Sequence, residues 1–411
     1  MLAKFAICGF LPARTLELAQ NSDSDSPVKL LTEQPAAAEI QRPGDHVPFA
    51  TLDREHAALA GELHEAFDRV MRRSAFILGE EVERFERDWA AACGTAECVG
   101  VSSGTAALSL LLRAAGIGPG DEVIVPAHTY IASALAVVHA GAVPVLCDVE
   151  DGTGLLDVDA ARAAIGPRTA GILAVHLYGQ LCDMPAVERL AATHGLAVFE
   201  DAAQAHGAAC DDRRAGGFGK GAAFSFYPSK NLGALGDAGA ICTNDAALAE
   251  RARRLRNLGQ RRKGEHVIAG SNDRLDGLQA ALLSVKLRQL DNATAARRRH
   301  AALYRSLLGR RVRQLEDRAA TKCVYHLFPV RVAHRERVAA RLGAMGIGTG
   351  VHYPLPLHRQ PALRDLAVVR GDLSRSEAWA REELSLPMSP RLEPDEIATV
   401  ARRCTLAVDS E

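Results

Sequence analysis

The sequence predicts an α/β protein, with a large domain on a mainly parallel seven-stranded sheet flanked by helices and a smaller α+β domain after it. Three observations carry this expectation. The 411 residues are 48% hydrophobic and 24% charged, an ordinary globular composition with enough chain for a large core and a second, smaller one. Between about residues 97 and 258, short apolar runs alternate with helical patterns, which is how strand, helix, strand units read in sequence. Beyond about residue 291 the pattern changes to long arginine-rich helices and short strands.

Residues 1–46 lack this patterning. A short apolar start, Phe5 to Pro12, is broken by Arg14 and followed by the polar run Asn21-Ser22-Asp23-Ser24-Asp25-Ser26-Pro27. Without a small-residue cleavage site, this reads as a disordered extension rather than a secretion signal. The large domain is expected over 47–290. Leu59, Leu63, Phe67, Val70 and Met71 fall on one side of a helix over 53–73, and Gly79 leads into a second helix over 80–92. Strand runs follow at 98–101, 123–125, 143–148, 171–175, 197–199, 222–226 and 240–242. Helical patterns lie between several of them, at 131–140, 184–194 and 246–258, and another covers 274–290. Such alternation implies helices on both sheet faces. The smaller domain, 291–411, reads as helices over 295–308 and 335–345 around a strand-like run at 325–330.

Composition narrows the function classes. A formal net charge of -1 leaves no basic surface for nucleic acid, and the arginine clusters at 251–262 and 297–299 fall on amphipathic helices. No apolar run is long enough for a bilayer-spanning helix, so no membrane partner is expected. The nine cysteines are scattered singly and lack zinc-ligand spacing, which reads as reduced thiols in a cytoplasmic protein without a metal site.

The stretch from Phe224 to Ala240 holds the candidate chemistry. Lys230 stands between an aromatic run and a glycine-rich turn, with no carboxylate beside it in sequence. Burial there favours the neutral amine, which can attack an aldehyde and form a Schiff base, as pyridoxal phosphate chemistry requires. Upstream, the strand Val198-Phe199-Glu200-Asp201 ends in an acid suited to keeping a pyridine nitrogen protonated. Further upstream, Ser102-Ser103-Gly104-Thr105 joins a strand to a helix start, a seat for phosphate. Lys230, Asp201 and Thr105 all fall in connections that meet at the carboxyl ends of a parallel sheet.

These segments together resemble the DegT/DnrJ/EryC1/StrS family of pyridoxal-phosphate sugar aminotransferases. The likeness rests on Ser103-Gly104-Thr105-Ala106-Ala107-Leu108, Glu200-Asp201-Ala202-Ala203-Gln204-Ala205-His206-Gly207 and Ser225-Phe226-Tyr227-Pro228-Ser229-Lys230-Asn231-Leu232-Gly233. It continues through Asn272-Asp273-Arg274-Leu275-Asp276-Gly277 and Val351-His352-Tyr353-Pro354-Leu355-Pro356-Leu357-His358, and covers the chain from about Val47 onward. The resemblance implies fold type I, with pyridoxal 5'-phosphate held as an internal aldimine on Lys230. It implies Asp201 at the ring nitrogen, Tyr130 stacked on the ring, Gln204 near the ring oxygen, and Gly104, Thr105 and Ser225 around the phosphate. Asn272 would reach the cofactor phosphate of a neighbouring subunit in a homodimer with shared sites; here Asp273 stands beside it, where many relatives have no acid.

Tyr178 is expected at the substrate mouth, with His352, Tyr353 and His358 on a proline-stiffened rim. The implied reaction moves an amino group from an amino acid, L-glutamate by resemblance, to a keto sugar. The rim wording is most similar to that of enzymes acting at the 3-keto position of nucleotide-linked deoxysugars. A keto cyclitol as acceptor, and a cofactor-binding regulator without turnover, remain the alternative readings.

Overall fold

In the computed structural model, which describes residues 46–409 apart from residue 311, the seven strand runs of the large domain all form. They are β1 Glu97–Val101, β2 Glu122–Pro126, β3 Val143–Cys147, β4 Thr169–Val175, β5 Ala197–Asp201, β6 Gly221–Ser225 and β7 Gly239–Thr243. Nearly every strand residue is buried, because helices cover both faces. The order is β1-β7-β6-β5-β4-β2-β3, and only β7 runs against its neighbours. Apart from His46, the expected disordered extension over 1–46 lies outside the described residues.

The helices start and stop where local chemistry dictates. α1 Leu52–Arg73 ends at Ser74 in the left-handed conformation, and α2 Glu80–Cys93 ends at Gly94, also left-handed. α3 Gly104–Ala114 is capped by the Ser103 hydroxyl, which accepts from the Ala106 N–H. α4 Ala132–His139 and α5 Val158–Ala163 follow, then α6 Met184–His194 and α7 Ala246–Arg256. Asp157, Asp183 and Asp245 cap the last three.

The helix expected over 274–290 differs. α8 Gly277–Leu287 starts three residues later, because Asn272, Arg274 and Asp276 are spent on single bridges to Asn257, Val101 and Ile77. The next helix, α9 Leu290–Leu308, starts earlier than the pattern indicated.

The C-terminal part contributes β8 Phe328–Arg331, α10 Arg335–Ala344, β9 Val368–Val369, α11 Ser374–Glu382, β10 Glu383–Leu386 and α12 Pro394–Asp409. Here β8 pairs with β10, and a second core forms around Tyr304, Phe328, Leu342, Leu386 and Ile397. β9 returns to pair in parallel with β3 and adds an eighth strand to the large sheet, while Val324, Leu327, Leu357 and Trp379 join the large core. Among the described residues, no helix is long and apolar enough to cross a membrane.

Candidate active site

A cavity of about 460 Å³ opens at the carboxyl ends of the parallel strands, where connections after β1, β2, β4, β5 and β6 converge. Lys230 lines it. Its loop leaves β6 and returns to β7, closed by hydrogen bonds from the Phe226 N–H to the Ala238 carbonyl and from the Ala234 N–H to the Phe226 carbonyl. Among the described residues, no group accepts a hydrogen bond from Nζ. Surrounding protein lowers the lysine pKa to about 8, with the negative charge of Asp201 opposing. The amine is therefore ready to act as a nucleophile near neutral pH.

Asp201 is the last residue of β5, in register with Val175 of β4 and Ala223 of β6, so sheet pairing fixes where its carboxylate points. The residue is buried, and burial raises its pKa. Hydrogen bonds from the Ser133 hydroxyl to Oδ2 (2.7 Å) and from the Ala203 N–H to Oδ1 (3.2 Å) hold it against that tendency, as does Lys230. Directly before it, Glu200 is sealed in the core, accepting from His176 Nε2 (2.9 Å) and from the N–H groups of Gly216 and Phe218. The two adjacent acids thus divide the work, one anchoring backbone and one facing the cavity.

The α3 N-terminus forms the opposite wall. A Cβ on Gly104 would sit 2.5 Å from the Ser225 Cβ, so only glycine lets the end of β6 close on the helix start. A Cβ on Gly239 would likewise lie 2.3 Å from the Ser103 carbonyl oxygen. Free N–H groups of the first helical turn, the Thr105 hydroxyl and the Ser225 hydroxyl therefore border one recess, with the positive end of the helix dipole behind them.

A profile of the DegT/DnrJ/EryC1/StrS aminotransferase family matches residues 58–405. The chain belongs to that family. It is 49% identical over 349 residues to a dTDP-3-amino-3,4,6-trideoxy-alpha-D-glucose transaminase of Streptomyces venezuelae, spanning 84% of this chain and 92% of the relative. The crystal structure of S. venezuelae DesV in complex with a ketimine intermediate matches with a TM-score of 0.85 at 47% identity, covering 87% of this chain and 97% of that one. That of ntda from Bacillus subtilis with bound cofactor pmp matches at 0.83 and 30% identity, covering 90% and 86%. The family is pyridoxal-phosphate-dependent, and the residues present fit that cofactor: an amine with no hydrogen-bond partner among the described residues, a buried acid, and a recess bordered by the α3 N-terminus and the Thr105 and Ser225 hydroxyls.

Of the other residues singled out in this aminotransferase, Tyr130, Gln204, His352 and Tyr353 line the cavity. Tyr130 is 54% exposed and its ring centre lies 5.3 Å from that of Tyr353. Gln204 is fixed from both ends: Oε1 accepts from the Tyr178 N–H (2.6 Å) and Nε2 donates to the Tyr353 hydroxyl (3.2 Å).

Two residues fall elsewhere. Tyr178, expected at the mouth, is completely buried; its hydroxyl donates to the His352 carbonyl (2.7 Å) and lies 2.8 Å from His128 Nε2, so it backs the cavity wall. His358 turns away to pair with Glu377 at 2.9 Å. Asn272, expected to serve the site of a neighbouring subunit, is exposed outside the cavity of its own chain, and Asp273 beside it is held by the Ser102 and Ser271 hydroxyls rather than by Arg274.

The sequence reading passed over two residues at the site. Ser133 is the second residue of α4, in the connection after β2, and its role shows only in the fold. His326 lines the cavity, with Nδ1 3.2 Å from the side-chain amide oxygen Oδ1 of Asn231, the neighbour of Lys230. Burial and the nearby Lys230 keep its pKa well below normal.

Proposed function

We propose that this aminotransferase moves an amino group from an amino acid, L-glutamate as the expected donor, to the keto carbon of a nucleotide-linked deoxyhexose. The observation that carries the reading is Lys230, an unpartnered amine facing Asp201 in a cavity that also borders the α3 N-terminus. The 3-amino sugar in the name of the Streptomyces venezuelae relative supports C3 as the carbon aminated.

Lys230 holds the cofactor between turnovers and, once released, its Nζ takes the proton from the donor's α-carbon and returns one to the acceptor's carbon. When bound, pyridoxal phosphate supplies an electron sink that makes those protons acidic. Asp201 would hold a proton at the ring nitrogen of the cofactor, with Ser133 fixing the carboxylate through its hydrogen bond to Oδ2. Gly104, Thr105 and Ser225 would hold the phosphate of the cofactor, Tyr130 would pack on its ring, and Gln204 would bond near its ring oxygen. His352 and Tyr353 take sugar hydroxyls.

The assembly proposed is a homodimer whose sites are shared through Asn272. Supporting it, exposed Phe76, Ile77, Leu258, Val267 and Ile268 lie on segments bonded to the 271–277 stretch or next to it, an apolar surface suited to a second copy.

The test is an absorbance spectrum of purified protein with pyridoxal phosphate, before and after L-glutamate, for wild type and Lys230→Ala. Conversion of the yellow form by glutamate in wild type, absent in the variant, is expected, and turnover with a keto sugar then completes the cycle. A cofactor band that neither glutamate nor any other amino acid alters would favour a regulator instead.

A further inference from the structure

The carboxylate of Glu383, at the start of β10, is completely buried and lies outside the cavity. Its Oε2 accepts the His352 N–H at 2.5 Å, and its Oε1 accepts the Ser385 hydroxyl at 2.5 Å. Ser385 is also fully buried, and its Oγ lies 2.9 Å from His352 Nδ1. These three groups form one chain, from a core acid through a hydroxyl to an imidazole that lines the active site.

A hydroxyl has a single hydrogen to give. With that hydrogen committed to Glu383, the Ser385 oxygen can only accept, so His352 Nδ1 must carry the ring hydrogen. Burial and the positive charge of Lys230 lower the His352 pKa to about 4, so the ring is neutral and Nε2 is left as a bare acceptor. Among the described residues, Nε2 has no hydrogen-bond partner. The ring is held in place by stacking on Phe49 (5.8 Å between centres, 19°) and by an edge contact with Tyr353.

We infer that Glu383 is a positioning residue which, through Ser385, fixes the tautomer of His352 so that Nε2 accepts a hydrogen bond from a hydroxyl of the sugar substrate. The tautomer is a property of this chain alone, whereas the sugar contact rests on the function proposed above. A donor at Nε2 would meet a sugar hydroxyl differently, so the buried acid selects among acceptors without touching them.

The experiment is ¹⁵N NMR of histidine-labelled protein at pH 8.5, with His352→Gln to assign the resonance. That pH is chosen because burial raises the Glu383 carboxyl to about 7, against the His352 N–H and the Ser385 hydroxyl, which lower it. Wild type is expected to show Nδ1 protonated and Nε2 bare. In Glu383→Gln the amide oxygen can serve the His352 N–H, leaving the NH₂ to donate to Ser385; the hydroxyl then turns to Nδ1 and the tautomer reverses.

Ser385→Ala removes the link while keeping the acid, and is expected to give a mixture of tautomers. In Glu383→Gln the KM for the keto sugar should rise about tenfold, the loss of one hydrogen bond, and in Ser385→Ala by less, since part of the population keeps the competent tautomer, with a smaller change in the glutamate half-reaction. A wild-type resonance with Nε2 protonated overturns the inference, as does a pattern that neither variant alters. The expected tautomers with no sugar turned over would leave the relay standing and sink the substrate reading instead.

Discussion

Ser133 donates a 2.7 Å hydrogen bond to Oδ2 of Asp201 across 68 residues of chain, tying the connection after β2 to the end of β5. With two hydrogen-bond donors among the described residues, that buried carboxylate depends on each of them. Ser133→Ala is expected to raise the Asp201 pKa further and to weaken cofactor binding about tenfold, the scale of a hydrogen bond to a charged group. A spectroscopic titration of the apoenzyme with pyridoxal phosphate checks this, and an unchanged Kd would remove Ser133 from the site.

Gly104→Ala places a methyl group 2.5 Å from the Ser225 Cβ and 3.1 Å from its Cα. Backbone cannot yield as a flexible side chain does, so the α3 start must move away from β6. The expected result is a fold weakened by about 1–3 kcal/mol with phosphate affinity largely lost. Denaturant unfolding and the same titration measure the two effects, and cofactor retained at wild-type affinity would place the phosphate elsewhere.

The reactive form of Lys230 is the free amine. Because burial holds its pKa near 8 despite Asp201, roughly a tenth of the apoenzyme carries that form at pH 7 and about nine-tenths at pH 9. The rate of pyridoxal phosphate capture by apoenzyme should therefore rise through pH 8 and level off above it. Stopped-flow absorbance gives the profile, and an inflection near 10 would mean a solvated lysine.

Tyr178→Phe keeps the ring and deletes the hydroxyl shared by the His352 carbonyl and His128 Nε2. Since His128 Nδ1 already has no partner among the described residues, both nitrogens of that buried ring would then be unsatisfied. A loss of about 1–3 kcal/mol in unfolding free energy is expected, with a raised KM for the sugar as the 350–353 loop loosens. A variant as stable as wild type would show that water replaces the hydroxyl.

Much of this was legible along the chain. Lys230 stood out between an aromatic run and a glycine-rich turn, although it is only half-buried and Tyr227 and Ser229 beside it are exposed; the strand runs were readable because parallel strands covered on both faces are apolar throughout. Side-chain direction was less so. Tyr178 and His176 follow the same strand end, and nothing local says that the phenol turns inward to support His352. His358 follows two prolines, but its partner Glu377 lies on α11, beyond a stretch with no readable period. Ser133 and Glu383 were invisible for a related reason: each matters only through a group that the fold brings from a distant segment. The late start of α8 escaped because single bridges leave no periodic trace.

The pairing of Val368–Val369 with β3 has a consequence for synthesis. As the chain leaves the ribosome, the seven strands up to Thr243 can assemble long before residue 369 emerges, and until then the open edge of β3 offers unpaired backbone groups to any neighbouring nascent chain. The last quarter of the sequence therefore seals that edge as well as walling the site, so a ribosome stalled before it is the point at which this protein is most exposed to aggregation.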